Sequence, residues 1–555
     1  MAFDLTHVDG YPEVPVSLIS SRGILKTGGW RNMRPVAAER AAPCTAACPA
    51  GVMTPHVLDL LAKGEVAEAF AVFTLRNPFP AITGRVCPHD CEIACSRATR
   101  DTAVSIRVLE RYLGDRAAGL PDPEPDPETG RHVAVIGSGP AGLSAAYYLR
   151  RSGHRVTVYE RRSRPGGMLR YGIPSYRLPD EVVDREVGRL EKLGVEFRTG
   201  VALGDDLALT DLVGGHDAVF VGTGAWRSRS SGIEGEDLLR SGLAFLGAVA
   251  AGGAEPPGGR CAVVGGGNTA MDVARVLRRL GCDVTVLYRR TEAEMPAIRE
   301  EIALAAADGV KIEYLRLPRK AAPADGGRVT LTVERMTLGA PDESGRPRPE
   351  PTGATEDRVF DAVFSAIGEQ ADVTAFPDRL LGGDGWLRIG PDGATAEPSL
   401  FVGGDLATGP ATVVEAIAAG RCAAASIQRR LCGSDTQPGW AGTTHLEVVP
   451  AGDVNPAYVT RRPRAADPML PPDAADRMAE ETATVSLEEA LAEIERCYSC
   501  GHCNACGTCF VFCPDAAIGW DDGPVFDYQV CKGCGICTTE CPGQALVFVR
   551  EGAAT

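Results

Sequence analysis

No stretch of the 555-residue chain reaches the roughly 18 consecutive apolar residues of a membrane-spanning helix, so none is expected. The opening MAFDLTHVDGYPEVPVSL has neither a basic n-region nor an apolar h-region. No signal peptide is therefore read, and a cytoplasmic protein is expected. Basic charge is also in short supply. Against 73 Asp and Glu stand 57 Lys and Arg, for a net charge of −16, which disfavours a nucleic-acid binder. Apolar content is not lacking: 44% hydrophobic and 23% charged residues exclude disorder or collagen for the chain as a whole. The length fits about three to four domains.

Cysteine is the abundant residue. Nineteen thiols in a chain without an export signal do not read as a disulfide framework. Ten lie between Cys497 and Cys541, five between Cys44 and Cys95, and four (Cys261, Cys282, Cys422, Cys432) are scattered. Such clustering points to metal or iron–sulfur ligation. No C-x-x-C or C-x4-C accompanies the glycine motifs described below, so a redox disulfide beside a flavin is not expected. The four scattered thiols read as packing residues.

Residues 1–118 carry the first cysteine group among helical patterns. Residues 119–131, GLPDPEPDPETGR, alternate prolines with acids as a stiff linker. From 132 to about 432 apolar strands alternate with helices, the pattern of doubly wound α/β structure. Two segments there share one plan of strand, glycine turn, helix and strand. Residues 433–485 read as an extended connector. Ser486 and Glu489 form a capping-box pattern before a short helix, and the cysteine-dense stretch fills 486–555.

In the first module Gly137, Gly139 and Gly142 follow the strand run at Val133 to Ile136 as G-x-G-x-x-G. The glycines permit the tight turn, the approach of a pyrophosphate and close helix–strand packing, and Pro140 and Ala141 open the helix whose N-terminus faces the phosphates. Glu160 closes the second strand, where an acid binds an adenosine ribose. Gly167, Leu169 and Gly404 are further candidate contacts. Asp405 follows a later strand and could hold a ribityl hydroxyl. The helix entered through Ala411, Thr412 and Val413 could aim its N-terminus at a flavin ring. The competing reading is a packing turn with no ligand.

In the second module Gly265, Gly267 and Ala270 give G-x-G-x-x-A, with Asn268 and Thr269 inside the turn. Tyr288 takes the place of Glu160, and Arg289 and Arg290 follow it. An absent acid with adjacent arginines suits the 2′-phosphate of NADP(H); NAD(H), with the arginines as solvated charges, is the alternative.

At the C-terminus two runs of C-x2-C-x2-C-x3-C-P have the spacing of bacterial two-cluster ferredoxins. Three thiolates of each run wrap one cube and the fourth crosses over. One [4Fe–4S] set is then Cys503, Cys506, Cys509 and Cys541; the other is Cys531, Cys534, Cys537 and Cys513. Zinc is the poorer match. Cys497 and Cys500, just upstream, belong to neither set.

Cys44-x3-Cys48-Pro49, then NPFPAITGRVCPHDCEIAC with Cys87, Cys91 and Cys95, stand beside VIGSGPAGLSAAYYL, GGMLRYGIPSYRLPDEVV, VVGGGNTAMDVAR and YRRTEAEMPA. Over roughly residues 35–430 the chain closely resembles the glutamate synthase small-subunit family. That family includes the NADPH–FAD half of glutamate synthase, the large subunit of the electron-bifurcating ferredoxin:NADP transhydrogenase and the front half of dihydropyrimidine dehydrogenase. The resemblance implies an α/β two-nucleotide-binding-domain flavoprotein, with an N-terminal α-helical Fe–S domain; a C-terminal α+β ferredoxin-like domain is added. FAD would occupy 132–250 and 365–432, interrupted by an NAD(P)H domain at 251–364.

The resemblance also implies one N-terminal cluster on Cys48, Cys87, Cys91 and Glu110. The family's R-C-x-x-C-G element is missing before Cys44: Val36 and Glu39 stand where its cysteines would fall. An equivalent, Arg496-Cys497-x-x-Cys500-Gly501, occurs near the other end. Cys497 and Cys500 would fold back to join Cys44 and Cys95; the alternative is a single N-terminal cluster.

The implied activity is NAD(P)H-dependent, flavin-mediated electron transfer without a catalytic side-chain acid or base. The expected setting is a hetero-oligomeric redox complex, with a ferredoxin or a 2-oxoacid:ferredoxin oxidoreductase as partner. Alternatives are a glutamate synthase small subunit, which normally lacks the ferredoxin extension, and a non-enzymatic electron-relay adaptor.

Overall fold

The structure is a computed structural model describing residues 26–253, 255–341, 345–383, 385–433, 439–440, 446–471, 476–521 and 523–552. The stretch read for a leader lies outside the described residues, as do parts of the connector. The fold divides into two compact units. One comprises Met1–Pro121, Gly442–Pro468 and Thr484–Thr555; the other comprises Asp122–Ala441 and Met469–Ala483.

The second unit, here the nucleotide unit, contains two parallel five-stranded sheets. The first has the order Leu400–Val402, Ala218–Val221, His132–Ile136, Arg155–Glu160, Glu196–Thr199. Residues 133–136 of its central strand form a continuous buried apolar run, as a sheet covered on both faces requires. The helices Pro140–Arg151 and Val413–Cys432 cross closely over it, because Gly420 brings its backbone against Ala141: a Cβ there would lie 2.2 Å from the Ala141 carbonyl oxygen. Ser144 seals the crossing by donating to the Ile417 carbonyl at 2.7 Å.

The second sheet runs Lys311–Tyr314, Asp283–Tyr288, Arg260–Val264, Ala362–Ser365, Arg240–Ser241. From it projects an arm the alternating strand–helix reading does not contain. Arg316–Ala324, Arg328–Pro341 and Pro347–Phe360 form an antiparallel three-stranded sheet. Its first hairpin turns at Asp325-Gly326-Gly327, where both glycines have φ above +70°. The arm is rooted in a core of Leu331, Val333 and Phe360 against Val264 and Leu287. Chain crossings between the two sheets pair as Arg227–Ser228 with Glu369–Gln370.

The first unit, here the cysteine unit, has a helical part and a small α+β part. Helices Pro80–Val86 and Ile106–Arg116 pack through reciprocal glycines. A Cβ on Gly84 would lie 2.3 Å from the Arg111 nitrogen, and one on Gly114 2.3 Å from that of Ala81. In the α+β part, short helices Thr508–Val511 and Ile536–Thr539 each follow a left-handed glycine, Gly507 or Gly535. A hairpin, Ile518–Trp520 with Pro524–Phe526, joins them.

The closing strand Leu546–Arg550 finds its partner at the other end of the sequence: Met33–Ala37 pairs with it antiparallel, Val36 opposite Val547. Residues drawn from sequence as separate N- and C-terminal domains therefore share one sheet and one unit. The connector is divided too, its residues 469–483 belonging to the nucleotide unit.

Candidate functional site

The first glycine turn is built for close approach. Gly137 has φ +92°, and a Cβ on Gly142 would stand 1.9 Å from the Gly137 carbonyl oxygen. At Gly139, by contrast, a Cβ would meet nothing within 4 Å, leaving room before the helix N-terminus that Pro140 opens. Gly167 leans on this turn, its own Cβ position lying 2.6 Å from the Gly139 Cα, and Leu169 is buried beside it. Glu160 is buried; its carboxylate accepts from Ser138 N at 3.0 Å, Ser138 Oγ at 2.5 Å and Arg162 N at 2.7 Å. These features form a cradle that a dinucleotide fits.

Asp405 follows Gly404, whose φ is +65°, and accepts from Ala411 N at 3.2 Å. Burial pushes its carboxyl up to about 6, helped by the nearby Glu369 and Glu415 charges and opposed by the Ala411 N–H. The helix at Val413 starts with a complete capping box: Thr412 Oγ1 accepts from Glu415 N, and Glu415 accepts from Thr412 N at 2.7 Å. Its N-terminus thus carries a carboxylate of its own beside Asp405.

In the second turn Gly265 has φ +140° and Ala270 is fully buried. Gly267, like Gly139, has open space in front of it. Asn268 accepts from Ile298 N at 2.9 Å, so it holds the following segment as well as the turn. The Thr269 hydroxyl is bonded to the Glu369 carboxylate, a group the sequence reading missed. Tyr288 lies over Gly266, where a Cβ would collide with the ring at 2.5 Å, and donates to the Glu294 carbonyl at 2.7 Å. Arg289 is exposed at the strand end, whereas Arg290 is buried and donates through Nε to the Pro347 carbonyl at 2.8 Å.

Two further arginines, neither marked by a motif, centre buried ion pairs in this unit. Arg177 donates to Asp272 at 2.8 Å and to Glu301 at 3.0 Å, and burial pushes the Asp272 carboxyl up to about 6 against the pull of Arg177. Fully buried Arg275 reaches Glu301, Asp308 and, at 2.6 Å, Glu481 from the connector.

In the cysteine unit the candidate ligands gather in sets. One cavity is lined by Cys503, Cys506, Cys509 and Cys541, another by Cys513, Cys531, Cys534 and Cys537. These are the two crossed-over sets of the spacing argument. The loops match as well: Ala517 N donates to Cys513 Sγ at 3.2 Å and Ala545 N to Cys541 Sγ at 3.3 Å. Burial and the thiols of Cys506, Cys541 and Cys503 push Cys509 up, and burial with Cys513, Cys531 and Cys534 pushes Cys537 up to about 12.

Cys48 and Cys91 sit with Glu110 and Cys87, burial raising both thiols and these neighbours adding to it. Glu110 is positioned by Thr83 Oγ1, which donates to Oε1, and by His89, whose Nε2 lies 2.9 Å from Oε2. Cys44 is raised by burial and then by Cys497, Cys95 and Cys500. Cys497 is pushed up to about 12 by burial, with Cys500 and Cys95 adding. Among the described residues no three His, Cys, Asp or Glu side chains meet as around a single metal ion.

What brings Cys497 and Cys500 beside Cys95 is a buried ionic network. Arg496, fully buried, donates to Thr102 O at 2.6 Å and to Glu493 at 2.5 Å. Glu493 in turn accepts from Ser105 N at 2.7 Å. Arg97 donates to the Arg496 carbonyl at 3.1 Å and pairs with Asp101 at 2.6 Å. Gly501, at φ +72°, lies against Arg40, whose N–H donates to its carbonyl at 3.1 Å.

A shared backbone habit marks these loops. Six described residues other than glycine have positive φ, and five lie within or just after a cysteine loop: His89, Ser499, Ala505, Ala516 and Gln544. Such conformations concentrate where function over-determines them. His89 N and Ser499 N each donate to the thiol two residues earlier, Cys87 and Cys497, both at 3.4 Å.

Comparison with known proteins follows the same division. Residues 131–420 match the family model for pyridine nucleotide-disulphide oxidoreductases, and residues 35–120 that for dihydropyrimidine dehydrogenase domain II with its 4Fe-4S cluster. The beta subunit of an NADP(+)-dependent formate dehydrogenase from Moorella thermoacetica is 36% identical over 83% of this chain and 70% of its own length. For the NADPH-Fe(3+) oxidoreductase beta subunit of Geobacter sulfurreducens the identity is 37%, over 70% of this chain and 64% of that one. The NADPH glutamate synthase small chain of Escherichia coli is 36% identical over 70% of this chain and 88% of its own. Among solved structures, FprA of Mycobacterium tuberculosis matches 54% of this chain with 22% identity and a TM-score of 0.46. The chain belongs to the pyridine nucleotide-disulphide oxidoreductase family and is a flavin-dependent oxidoreductase with FAD and NADP sites and a 4Fe-4S domain.

Proposed function

We propose that this chain is the nicotinamide-linked electron-transfer subunit of a hetero-oligomeric redox complex, passing electrons between NADPH and a partner through four iron–sulfur clusters. Bound flavin supplies the exchange between two-electron nicotinamide and one-electron cluster chemistry. The protein's own part is binding and orientation: the Gly139 and Gly267 turns receive the two pyrophosphates, Glu160 takes the ribose of the flavin nucleotide, and Asp405 faces the flavin end of its cradle.

The ligand sets follow the groupings above: Cys48, Cys87, Cys91 and Glu110; Cys44, Cys95, Cys497 and Cys500; and the two crossed-over ferredoxin sets. One observation carries the second set. The Cys497-Tyr498-Ser499 loop has the left-handed third residue and N–H···S contact of the Cys87 loop, and is held against residues 95–105 by buried Arg496 and Arg97. Cysteines that were spare thiols would not need that backbone.

A glutamate synthase partner fits less well, since the ferredoxin module gives this chain an outlet of its own. A 2-oxoacid:ferredoxin oxidoreductase is the reading we favour, and a reducing cytoplasm suits so many ligating thiols. Among the described residues no helix is long and apolar enough to cross a membrane. The test is anaerobic reduction of the purified chain by NADPH, followed by electron paramagnetic resonance. Bleaching of flavin together with signals from reduced clusters is expected, and the Cys497→Ala, Cys500→Ala double variant should lose one cluster signal only. Loss of none, or of the ferredoxin signals with it, overturns the fold-back set.

A further inference from the structure

The arm that leaves the second sheet ends beside the arginines that follow Tyr288. Its strands Arg328–Pro341 and Pro347–Phe360 pair as far as Pro341 opposite Pro347. There the Pro347 carbonyl accepts from Arg290 Nε at 2.8 Å. The Arg290 carbonyl in turn accepts from Leu315 N at 3.1 Å, and the Leu315 carbonyl from Met336 N at 2.9 Å. Arg290 is buried and fastens the arm directly at Pro347 and, through Leu315, at Met336. Its neighbour across that bond is Arg346, an exposed residue one step before Pro347.

These contacts bring the arm residue next to Arg346 against Arg290, two residues after Tyr288. Tyr288 lies in the field of Arg290, Arg346 and Arg289, each of which lowers its pKa against the upward push of burial. Tyr288 stands where Glu160 stands in the first module, at the place of the adenosine ribose. A dianionic substituent on that ribose would meet arginines from two sources, the strand end and the arm.

We propose that Arg346, delivered by the arm, is a specificity-determining residue that shares the 2′-phosphate of NADPH with Arg289, while Arg290 serves to seat the arm. The guanidinium fork matches phosphate oxygens in pairs, which a lone arginine at the strand end would do only in part. This inference rests on the NADP reading of the second module. It goes beyond that reading by assigning half of the recognition to a segment about 56 residues further along the chain, outside the glycine-turn unit.

The test compares NADPH- and NADH-driven dye reduction by the flavin-loaded full chain. In Arg346→Ala the NADPH-to-NADH ratio of kcat/KM should fall about tenfold or more, the loss falling on KM for NADPH rather than on kcat. Arg328→Ala, at the far end of the same arm strand, should leave the ratio at its wild-type value. Flavin content and the NADH reaction check that Arg346→Ala folds. A wild-type chain without preference for NADPH overturns the NADP reading, and this inference with it. A wild-type chain that prefers NADPH and an Arg346→Ala variant with the same preference overturn the role of the arm alone.

Discussion

At Gly142 of the first nucleotide module a Cβ would lie 1.9 Å from the Gly137 carbonyl oxygen, yet the second module carries Ala270 at the same step, fully buried. The difference accompanies the φ of the leading glycine, +92° at Gly137 and +140° at Gly265. Both turns leave open space at their middle glycine, Gly139 or Gly267. The modules diverge again at the end of their second strands, where Glu160 is bonded by Ser138 and Arg162 and Tyr288 is followed by Arg289 and Arg290. The turn thus makes room for a pyrophosphate in either case. On the proposed reading, the strand end rather than the glycine pattern selects the nucleotide.

The comparison can be broken most severely at the turn. Gly142→Ala should abolish flavin binding, read as the flavin-to-protein ratio, because the new Cβ meets backbone that cannot move aside. Ala270→Gly should keep its flavin and cost about 1 kcal/mol of stability from helix propensity alone. Full flavin content in Gly142→Ala would show that the two turns are interchangeable.

A smaller effect is expected at Glu160. Glu160→Gln keeps the shape but loses the charge that accepts three hydrogen bonds, and should weaken FAD binding about ten- to hundredfold in a reconstitution titration. An unchanged affinity would mean that this acid does nothing Tyr288 could not.

The smallest effect concerns Asp405, whose carboxyl is raised to about 6 by burial. A folded-state value above the unfolded one means that folding takes up a proton. The associated stability is present at low pH and is lost as pH rises from about 4 through about 6. In flavin-free protein the wild type should therefore lose about 1–2 kcal/mol relative to Asp405→Asn across that window, followed by Tm. Parallel pH profiles for the two proteins would remove Asp405 as the titrating group.

Both glycine turns and the division of eight C-terminal thiols into two sets of four were legible in the sequence, because they are written in spacings of two to six residues. The capping box at Ser486 and Glu489 was legible for the same reason, and it is made, with Ser486 N donating to Glu489 at 2.8 Å. What escaped was long-range pairing. Nothing in Met33–Ala37 announces a strand partner at Leu546–Arg550, and Glu481 sits in a connector without periodicity although it accepts from buried Arg275. The arm had its own signal in the Asp325-Gly326-Gly327 turn and the alternation after it. That signal was submerged in a stretch read as alternating strands and helices. The burial of Arg290 and its bond to Pro347 depend on the arm, which its neighbours in sequence do not announce.

The claim on which the whole electron path depends is the number of clusters, and iron analysis of anaerobically purified, flavin-loaded chain tests it most directly. About sixteen irons and as many acid-labile sulfides per flavin are expected for four [4Fe–4S] clusters. About twelve would contradict the account, leaving Cys497 and Cys500 without a cluster to complete.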